Sequence, residues 1–475
     1  MSDLQPLYSA DEMRAAEARY PGYPGTAGEL MERAGAAAAV VAQEELPGAR
    51  SWTVVCGGGS NGGDGRIMAQ HLERAGKDVR VVDAKSGERD LGSPDVIVDA
   101  LFGTGFVGSP RHEAAALIEE INDTGARVFA VDLPSGVDAS TGEIAGAAVR
   151  ADATVTFHGP KVGVLVAPGR FHAGVVRIAD IGLDPIETEA GLVTPEVLRG
   201  VPRRREGDNK YTAGHVLVVG GSRGLTGAPS LAALAAMRSD AGYVTVAAPA
   251  SALPVLEQRL LEAVKRPLPE DDGVVVAAAA EAVLEVADRA NAVALGPGLG
   301  RGRGPRAFVA RLLAELSVPV VVDADALHEL EPGDWPAPRV LTPHEGELAR
   351  LLGRESRDVA AHRLAALADA VERFGCVVVL KGPDTLVGAP EAGVLVVSLG
   401  VPSLATAGTG DVLTGIVGAF LAKGMEPRQA AAAAVAAQQR ASVAAPHRSG
   451  LVAGDLVEAL PAVLDGTTIP EQPSS

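Results

Sequence analysis

A chain of 475 residues, 47% hydrophobic and 21% charged, carries enough apolar material for two or three folded domains and falls outside the disordered class. Its formal net charge of -18 excludes a general binder of nucleic acid or anionic membrane, because phosphate recognition needs clustered Lys and Arg. Two cysteines, Cys56 and Cys376, each at the edge of an apolar run, argue against a disulfide framework and for a reducing, cytoplasmic setting.

The first 20 residues are polar and lack the apolar stretch of a signal peptide. No uncharged apolar run approaches the roughly 20 residues of a membrane span. Aromatics make up 3%, so the core must be built from Ala, Val and Leu. Short β-branched runs then alternate with Ala/Leu-rich stretches. TVVC, VRVVDA, VIVDALF and VFAVDLP read as buried parallel strands, with Arg66–Ala75 and His112–Thr124 as the helices between them. A second series starts at HVLVVGG (His215–Gly221) and runs through YVTVAAP, AVALGPG, VPVVVDADAL and VVVLKG. This βαβ pattern predicts an α/β fold. Between the series lies Leu183–Thr212, poor in apolar residues and containing PRRREGDNKYT. It predicts a boundary near 190–205, hence domains 1–200 and 201–465, with a disordered tail over 466–475. A homo-oligomer is expected.

The loop GGGSNGGDG after TVVC satisfies G-x-G-x-x-G at Gly57, Gly59 and Gly62, with Asp83 ending the next strand. Glycines let backbone approach a phosphate, and the following helix offers amide donors, so the loop predicts a dinucleotide site. The bland alternative, a tight turn without ligand, is weakened by six glycines among nine residues. Asn61 and Asp64 go beyond the fingerprint, since a carboxylate here repels a pyrophosphate unless it faces a hydroxyl, an amide or a cation. DALFGTGFVG and VDLPSGVDASTGEI place Asp99 and Asp132 at strand ends beside Gly/Pro/Ser turns. The carboxyl ends of strands form the ligand crevice of such sheets, so Asp132, Ser135 and Asp138 are expected to face the first loop.

In their order and spacing, SNGGDG, DALFGTG and DLPSGVDASTG resemble the NAD(P)H-hydrate epimerase family over Tyr8–Leu183. The resemblance implies a Rossmann-like three-layer domain. It implies substrate contacts from Ser60, Asn61, Gly62, Gly63 and Asp64, from the segment Gly103–Ser109 led by Gly103, Thr104 and Gly105, and from Asp132. It also implies a K+ site at Asn61, Asp99 and Ser135, whose hard oxygens suit an alkali cation. Asp132 is the candidate for proton handling. Ser60 departs from the family, which often has a second Asn there. Lys161 is open between a charged contact and a solvated surface lysine.

The strongest signal of the second half is ATAGTGDVLTGIVGAFLAKG (Ala405–Gly424). A glycine turn opens a helix, and the amides of Ala407–Gly410 can gather round a phosphoryl group. Asp411 follows in the first turn, placed to take a proton from an attacking hydroxyl; a helix-dipole carboxylate is the bland reading. The turn resembles ribokinase-like small-molecule kinases. With GPGLGRG, VVDADAL, LTPHEGELARLLG and VVLKGPDTLV in order, the segment Gly207–Leu460 resembles the NAD(P)H-hydrate dehydratase family. That likeness implies a ribokinase-like α/β domain. The hydrate would lie at Ala228, Gly298, His344 and Asp411, and an adenine nucleotide at Lys381, Gly382, Pro383, Asp384, Thr385 and Gly410. From the residues alone His344 is as well explained by capping a turn as by binding a ligand.

Together the resemblances imply a bifunctional metabolite-repair enzyme. It would epimerise R and S forms of hydrated NADH and NADPH (NADHX and NADPHX) and dehydrate the S form with ADP or ATP and Mg2+. Two other readings were weighed. A Rossmann oxidoreductase fused to a small-molecule kinase is disfavoured by Asp64 and the KGPDT segment. A non-catalytic nucleotide sensor has no need of the Asp411 base.

Overall fold

The strands of the computed structural model, which describes residues 3–87 and 89–466, follow the sequence pattern closely. The expected disordered tail lies, from residue 467 on, outside the described residues. In chain order the strands are β1 (Leu4–Leu7), β2 (Ser51–Cys56), β3 (Asp78–Asp83), β4 (Val96–Ala100), β5 (Arg127–Val131), β6 (Ala153–Phe157), β7 (Val175–Ala179), β8 (Ala190–Val193), β9 (His215–Val219), β10 (Tyr243–Pro249) and β11 (Val264–Leu268). A short hairpin, β12 (Glu270–Asp271) and β13 (Val274–Val275), precedes β14 (Ala292–Leu295), β15 (Val320–Val322), β16 (Arg339–Leu341), β17 (Val377–Leu380), β18 (Thr385–Ala389) and β19 (Ala392–Val397).

The chain divides into two compact units. One holds Pro6–Gly191 with Ala360–Arg363; the other holds residues 3–5, Leu192–Val359 and residues 364–466. The sheet of the first unit has the order β3-β2-β4-β5-β6-β7, parallel throughout. Alternate residues serve opposite faces. Trp52, Val54 and Cys56 join one core cluster with Leu30, Ala38, Met68 and Leu72 of the helices Ala27–Glu45 and Ser60–Arg74. Val55 and Ile97 join the other with Leu117, Ile118 and Ile121 of the helix His112–Asp123. These are the three layers expected. The chain winds from β2 out to β3 and returns across β2 to β4, the flavodoxin-like version of the doubly wound sheet, with its switch point between β2 and β4.

One helix begins earlier than the sequence suggests. The first helix after β2 spans Ser60–Arg74, not Arg66–Ala75, so SNGGDG is its first turns rather than a loop. Glycine is a poor helix former, but tertiary packing overrides the propensity: a Cβ at Gly65 would lie 2.5 Å from Ala100 Cβ, so only a bare backbone fits against β4.

The second unit contributes a sheet of order β1-β8-β19-β18-β17-β16-β15-β14-β9-β10-β11. β9–β11 and β14–β17 are parallel, while β18 and β19 are antiparallel. Its switch point lies between β9 and β14. Two helices covering it are almost wholly buried: Val412–Ala422 of the helix Thr409–Ala422, and the Ala-rich Ala430–Gln439 of the helix Pro427–Ala444.

The division at Gly191/Leu192 falls inside the window of 190–205 expected, at its early end rather than at 200/201. Polarity marks the linker PRRREGDNKYT, but the segment before it is anchored in the second core through Val193, Leu198 and Val201. The chain start also belongs to the second unit, where Thr194 N and Oγ1 donate to Asp3 O at 3.0 and 3.1 Å. A fragment beginning at Arg203 is therefore expected to be less stable than one beginning at Glu189 by about 6 kcal/mol, the worth of three buried aliphatic side chains. Urea unfolding of the two fragments measures the difference, and equal midpoints would refute this account of the boundary.

Two candidate active sites

The carboxyl edge of the first sheet opens on a cavity of about 690 Å³, reached by Gly58–Asn61, Asp64, Leu101–Val107, Asp132 and Lys161. Asp132 follows β5 in a left-handed conformation, φ 69°, a strained choice for a residue with a side chain. Its carboxylate is fixed from two sides: Oδ2 accepts from Thr104 N at 3.1 Å, and Oδ1 lies 2.8 Å from Lys161 Nζ. Lys161 also donates to Phe157 O at 2.8 Å and is fully buried. The solvated surface reading of Lys161 is thereby removed. An apolar run after it, VGVLV, was the available signal of burial.

Asp64 shares this cavity. Burial, reinforced by the charges of Asp132 and Glu17 and opposed by Lys161, pushes its carboxyl up to about 8, which favours the protonated form near pH 7. Two aspartates in one cavity thus stand in different surroundings: one is held against a lysine, the other is desolvated beside like charge. Of the remaining expected contacts, Ser60, Asn61, Gly103, Thr104 and Gly105 border the cavity, whereas Gly62 and Gly63 do not. Gly62 packs on Gly57 and Gly63 on Met31; being helical, they turn toward the protein. Asp138 also departs from expectation: its Oδ1 accepts from Ser140 N and Thr141 N at 2.8 and 3.0 Å, holding its own turn.

Asn61, Asp99 and Ser135 do converge, around the Phe102 peptide. Asn61 Nδ2 donates to Phe102 O at 2.8 Å and Ser135 Oγ accepts from Phe102 N at 2.9 Å. Asp99 Oδ1 accepts from Ser135 Oγ at 2.6 Å, and Oδ2 from Ser135 N at 2.7 Å. Burial pushes Asp99 up to about 6 even though these hydrogen bonds pull it down. Among the described residues Asn61 Oδ1 is buried with no hydrogen-bond partner. The described residues hold no cluster of three His, Cys, Asp or Glu, so the donor set here is amide, hydroxyl, carbonyl and a single carboxylate.

In the second unit the loops after β9 and β14 meet at the switch point. Gly298, at φ 65°, is held by Ser222 Oγ donating to its carbonyl at 2.9 Å. A Cβ there would sit 2.5 Å from Leu225 O and 3.3 Å from Ala228 Cβ. Gly298 and Ala228 are thus neighbours across the crevice. Asp325, after β15, fixes the same loop by accepting from Gly300 N at 3.0 Å and Arg301 Nε at 2.8 Å.

Asp323 is fully buried and receives Lys381 Nζ at 2.7 Å and Thr414 Oγ1 at 2.7 Å. Burial works against the Lys381 charge, but Asp323, Glu347 and Asp411 outweigh it and hold its pKa above the ordinary value. A Cβ at Gly410 would lie 3.3 Å from Lys381 Nζ, so the ammonium stands over the start of the helix Thr409–Ala422. The helix N-cap is Gly408. The N–H groups of Gly410 and Asp411 make no backbone hydrogen bond among the described residues, leaving them for an anion. Burial first, then Asp323, pushes Asp411 up to about 7, with Lys381 opposing.

His344 caps the helix Glu345–Leu352, its Nδ1 accepting from Gly346 N at 3.0 Å and Glu347 N at 3.4 Å. An accepting Nδ1 places the proton on Nε2, on a side chain that is 56% exposed. That Nε2 lies 3.6 Å from Glu347 Oε2, at the rim of a half-exposed ring, so capping does not bury the rest of the imidazole. Gly382 and Pro383 are exposed on the β17–β18 turn, whereas Asp384 and Thr385 are buried in it. Sequence reasoning missed Asp323, Glu347 and Thr414; the first was visible as the strand-end acid of VVDADAL.

Replacing Lys161 by Met leaves Asp132 buried and uncompensated, which is expected to destabilise the first unit by about 3 kcal/mol. Chemical unfolding of the full chain measures it; an unchanged midpoint would show that the pair is not needed.

A family model described as NAD(P)H-hydrate dehydratase matches residues 216–462, and one described as YjeF-related protein N-terminus matches 27–92 and 83–163. The bifunctional NAD(P)H-hydrate repair enzyme Nnr of Salinibacter ruber is 37% identical, with 96% of each chain covered. The enzyme of the same name from Escherichia coli is 33% identical over 97% of this chain and 94% of its own. Among solved structures, the ADP/ATP-dependent NAD(P)H-hydrate dehydratase from Bacillus subtilis, co-crystallised with ATP/Mg2+, is 29% identical with a TM-score of 0.51. It covers 57% of this chain and 97% of its own. A ribokinase-like superfamily protein from Enterococcus faecalis has the same fold, with a TM-score of 0.51 at 23% identity, over 60% of this chain and 98% of its own.

Proposed function

The chain belongs to the family of bifunctional NAD(P)H-hydrate repair enzymes, and we propose that its first unit epimerises hydrated NADH and NADPH while its second dehydrates the S form with ADP or ATP. The observation that carries the second half is the grouping of Asp411, Lys381 and free helix amides at one sheet edge. The hydroxyl on C6 of the hydrate is a poor leaving group as hydroxide. Transfer of a phosphoryl group from the nucleotide to it makes a good one; the ring nitrogen lone pair then expels phosphate to leave a ring iminium, and loss of a proton from C5 restores the reduced ring. Asp411 takes the hydroxyl proton as the oxygen attacks phosphorus. The Gly410 and Asp411 amides and Lys381 stabilise the charge that develops. His344 Nε2–H and the Gly298–Ala228 crevice position the hydrate. Gly382 and Pro383 present their outer faces to the nucleotide; the buried Asp384 and Thr385 serve by shaping that turn.

Mg2+ fits as a companion of the nucleotide rather than as the content of a protein cage, since both Asp323 oxygens are occupied by Lys381 and Thr414. When bound it neutralises phosphate charge. For K+, the buried Asn61 Oδ1, without a hydrogen-bond partner among the described residues, supports a monovalent site together with the Asp99 carboxylate, the Ser135 hydroxyl and the Phe102 carbonyl that gather at the same peptide, because a divalent ion recruits more carboxylates. Such an ion helps hold the Leu101–Gly105 turn. In the epimerase cavity, Asp132, oriented by Lys161 and Thr104, handles the proton, and the neutral Asp64 donates a hydrogen bond to substrate oxygen.

Incubation with mixed hydrate epimers, with and without ADP or ATP, tests the whole reading through recovery of reduced-ring absorbance. Asp411 must be ionised to act and its pKa stands at about 7. Dehydration kcat/KM should therefore rise with pH, level off above about 7, and fall as Asp411 protonates below it. Asp411→Asn should lower it ~10²–10⁴-fold and keep nucleotide binding; near-normal turnover would reduce Asp411 to a helix-terminal charge.

For the cation, Asp99→Ala is expected to slow epimerisation and abolish its response to potassium while dehydration of the S form is unchanged. Wild-type epimerisation at equal rate in potassium-free buffer would sink the site.

A further inference from the structure

Asp83 ends β3, the position from which a dinucleotide-binding sheet usually offers a carboxylate to a ribose hydroxyl. Here that carboxylate is engaged. Its Oδ1 accepts from Lys85 N at 2.9 Å and its Oδ2 from Arg66 Nη2 at 2.8 Å. Arg66 reaches back as well, donating to Gly57 O at 3.3 Å. Lys85 folds over the glycine segment: its Cε and Nζ occupy the space that a Cβ on Gly58 would need. Gly58 and Gly59 border the 690 Å³ cavity. Two cations and one anion therefore stand where β3 and β2 end, and the Arg66–Asp83 pair is open to solvent, with 39% and 44% of the side chains exposed.

The order of strands places this cluster at one end of a line. Along the carboxyl edge run β3, β2, β4, β5 and β6, carrying Lys85, Gly58, Gly103, Asp132 and Lys161 in turn. At about 4.8 Å per strand, Asp132 lies some three strands, roughly 14 Å, from the end of β3. A dinucleotide with its hydrated ring at Asp132 lays its pyrophosphate over the glycine-rich helix start and its adenosine ribose toward Arg66 and Lys85. We propose that Arg66 and Lys85 form a subsite for the 2′-phosphate of that ribose, so that the first unit favours hydrated NADPH over hydrated NADH. This rests on the epimerase reading of the first unit. An unmodified ribose finds its usual acceptor already engaged, whereas a 2′-phosphate meets a net positive cluster and two donors.

Epimerisation kcat/KM is measured for NADPHX and NADHX with the full-length wild type, Lys85→Ala and Lys85→Arg. Binding of 2′,5′-ADP and of 5′-ADP is followed in parallel by calorimetry with the second unit's nucleotide site saturated by a non-hydrolysable ATP analogue, so that 5′-ADP does not report on that site. The wild type should prefer NADPHX about tenfold. Lys85→Ala should lose most of that preference through a higher KM for NADPHX, with NADHX turnover unchanged, and Lys85→Arg should retain it. 2′,5′-ADP should bind the wild type more tightly than 5′-ADP, with the difference gone in Lys85→Ala. Equal NADPHX/NADHX ratios in wild type and Lys85→Ala, or equal binding of the two probes by wild type, overturn the subsite. Absence of epimerisation with either hydrate, alongside selective 2′,5′-ADP binding, would instead overturn the epimerase reading and leave the subsite standing.

Discussion

A lysine ammonium taken out of water needs a carboxylate beside it, and both sites are arranged around that requirement. Lys161 meets Asp132 at 2.8 Å in the first unit and Lys381 meets Asp323 at 2.7 Å in the second. In each case the acid stands just past a strand end and the lysine comes from the next strand or beyond. Burial makes such pairs costly to break rather than strongly stabilising, and so they fix geometry. Each also leaves a further aspartate in the same low-dielectric pocket with nothing of its own to neutralise it. Asp64 and Asp411 are pushed up to about 8 and about 7 for that reason. Groups poised near neutrality are what proton transfer at cellular pH requires.

The scarcity of aromatic side chains shapes the scaffold that carries these pairs. With so little bulk, the core closes by bringing backbones together. Gly65 lies on Ala100, and a Cβ at Gly415 would strike Ala232 O. Helices packed this closely have little freedom to shift, so the helix starts at Ser60 and Thr409 are held firmly against their sheets. This places the amide donors and acids of each first turn at fixed distances from the neighbouring loops.

Much of this was legible in the sequence. Strand positions followed from short apolar runs, and Asp99, Asp132 and Asp411 from acids standing where such runs give way to small residues. What escaped has identifiable causes. SNGGDG hid a helix start because glycine propensity speaks against one. Gly62 and Gly63 were expected to touch ligand, but in a helix only every third or fourth residue faces the crevice, and Asn61 and Asp64 take that face. The burial of Lys161 depends on β5 and β6 being neighbours, a long-range fact that local pattern does not contain. Asp138 has the composition of a site and the geometry of a turn. The division falls at the early end of the expected window because a linker is recognised by polarity, whereas a compact unit is defined by where side chains are buried.

The β1 strand, Leu4–Leu7, lies beside β8, Ala190–Val193, at the rim of the second unit's sheet, and β8 in turn lies beside β19, Ala392–Val397. An outermost strand offers a row of backbone N–H and C=O groups to any other chain that comes alongside. Pro6 within β1 has no N–H to give, so that row is broken, and the rim of the sheet is blunted against strand-by-strand association of one copy with another.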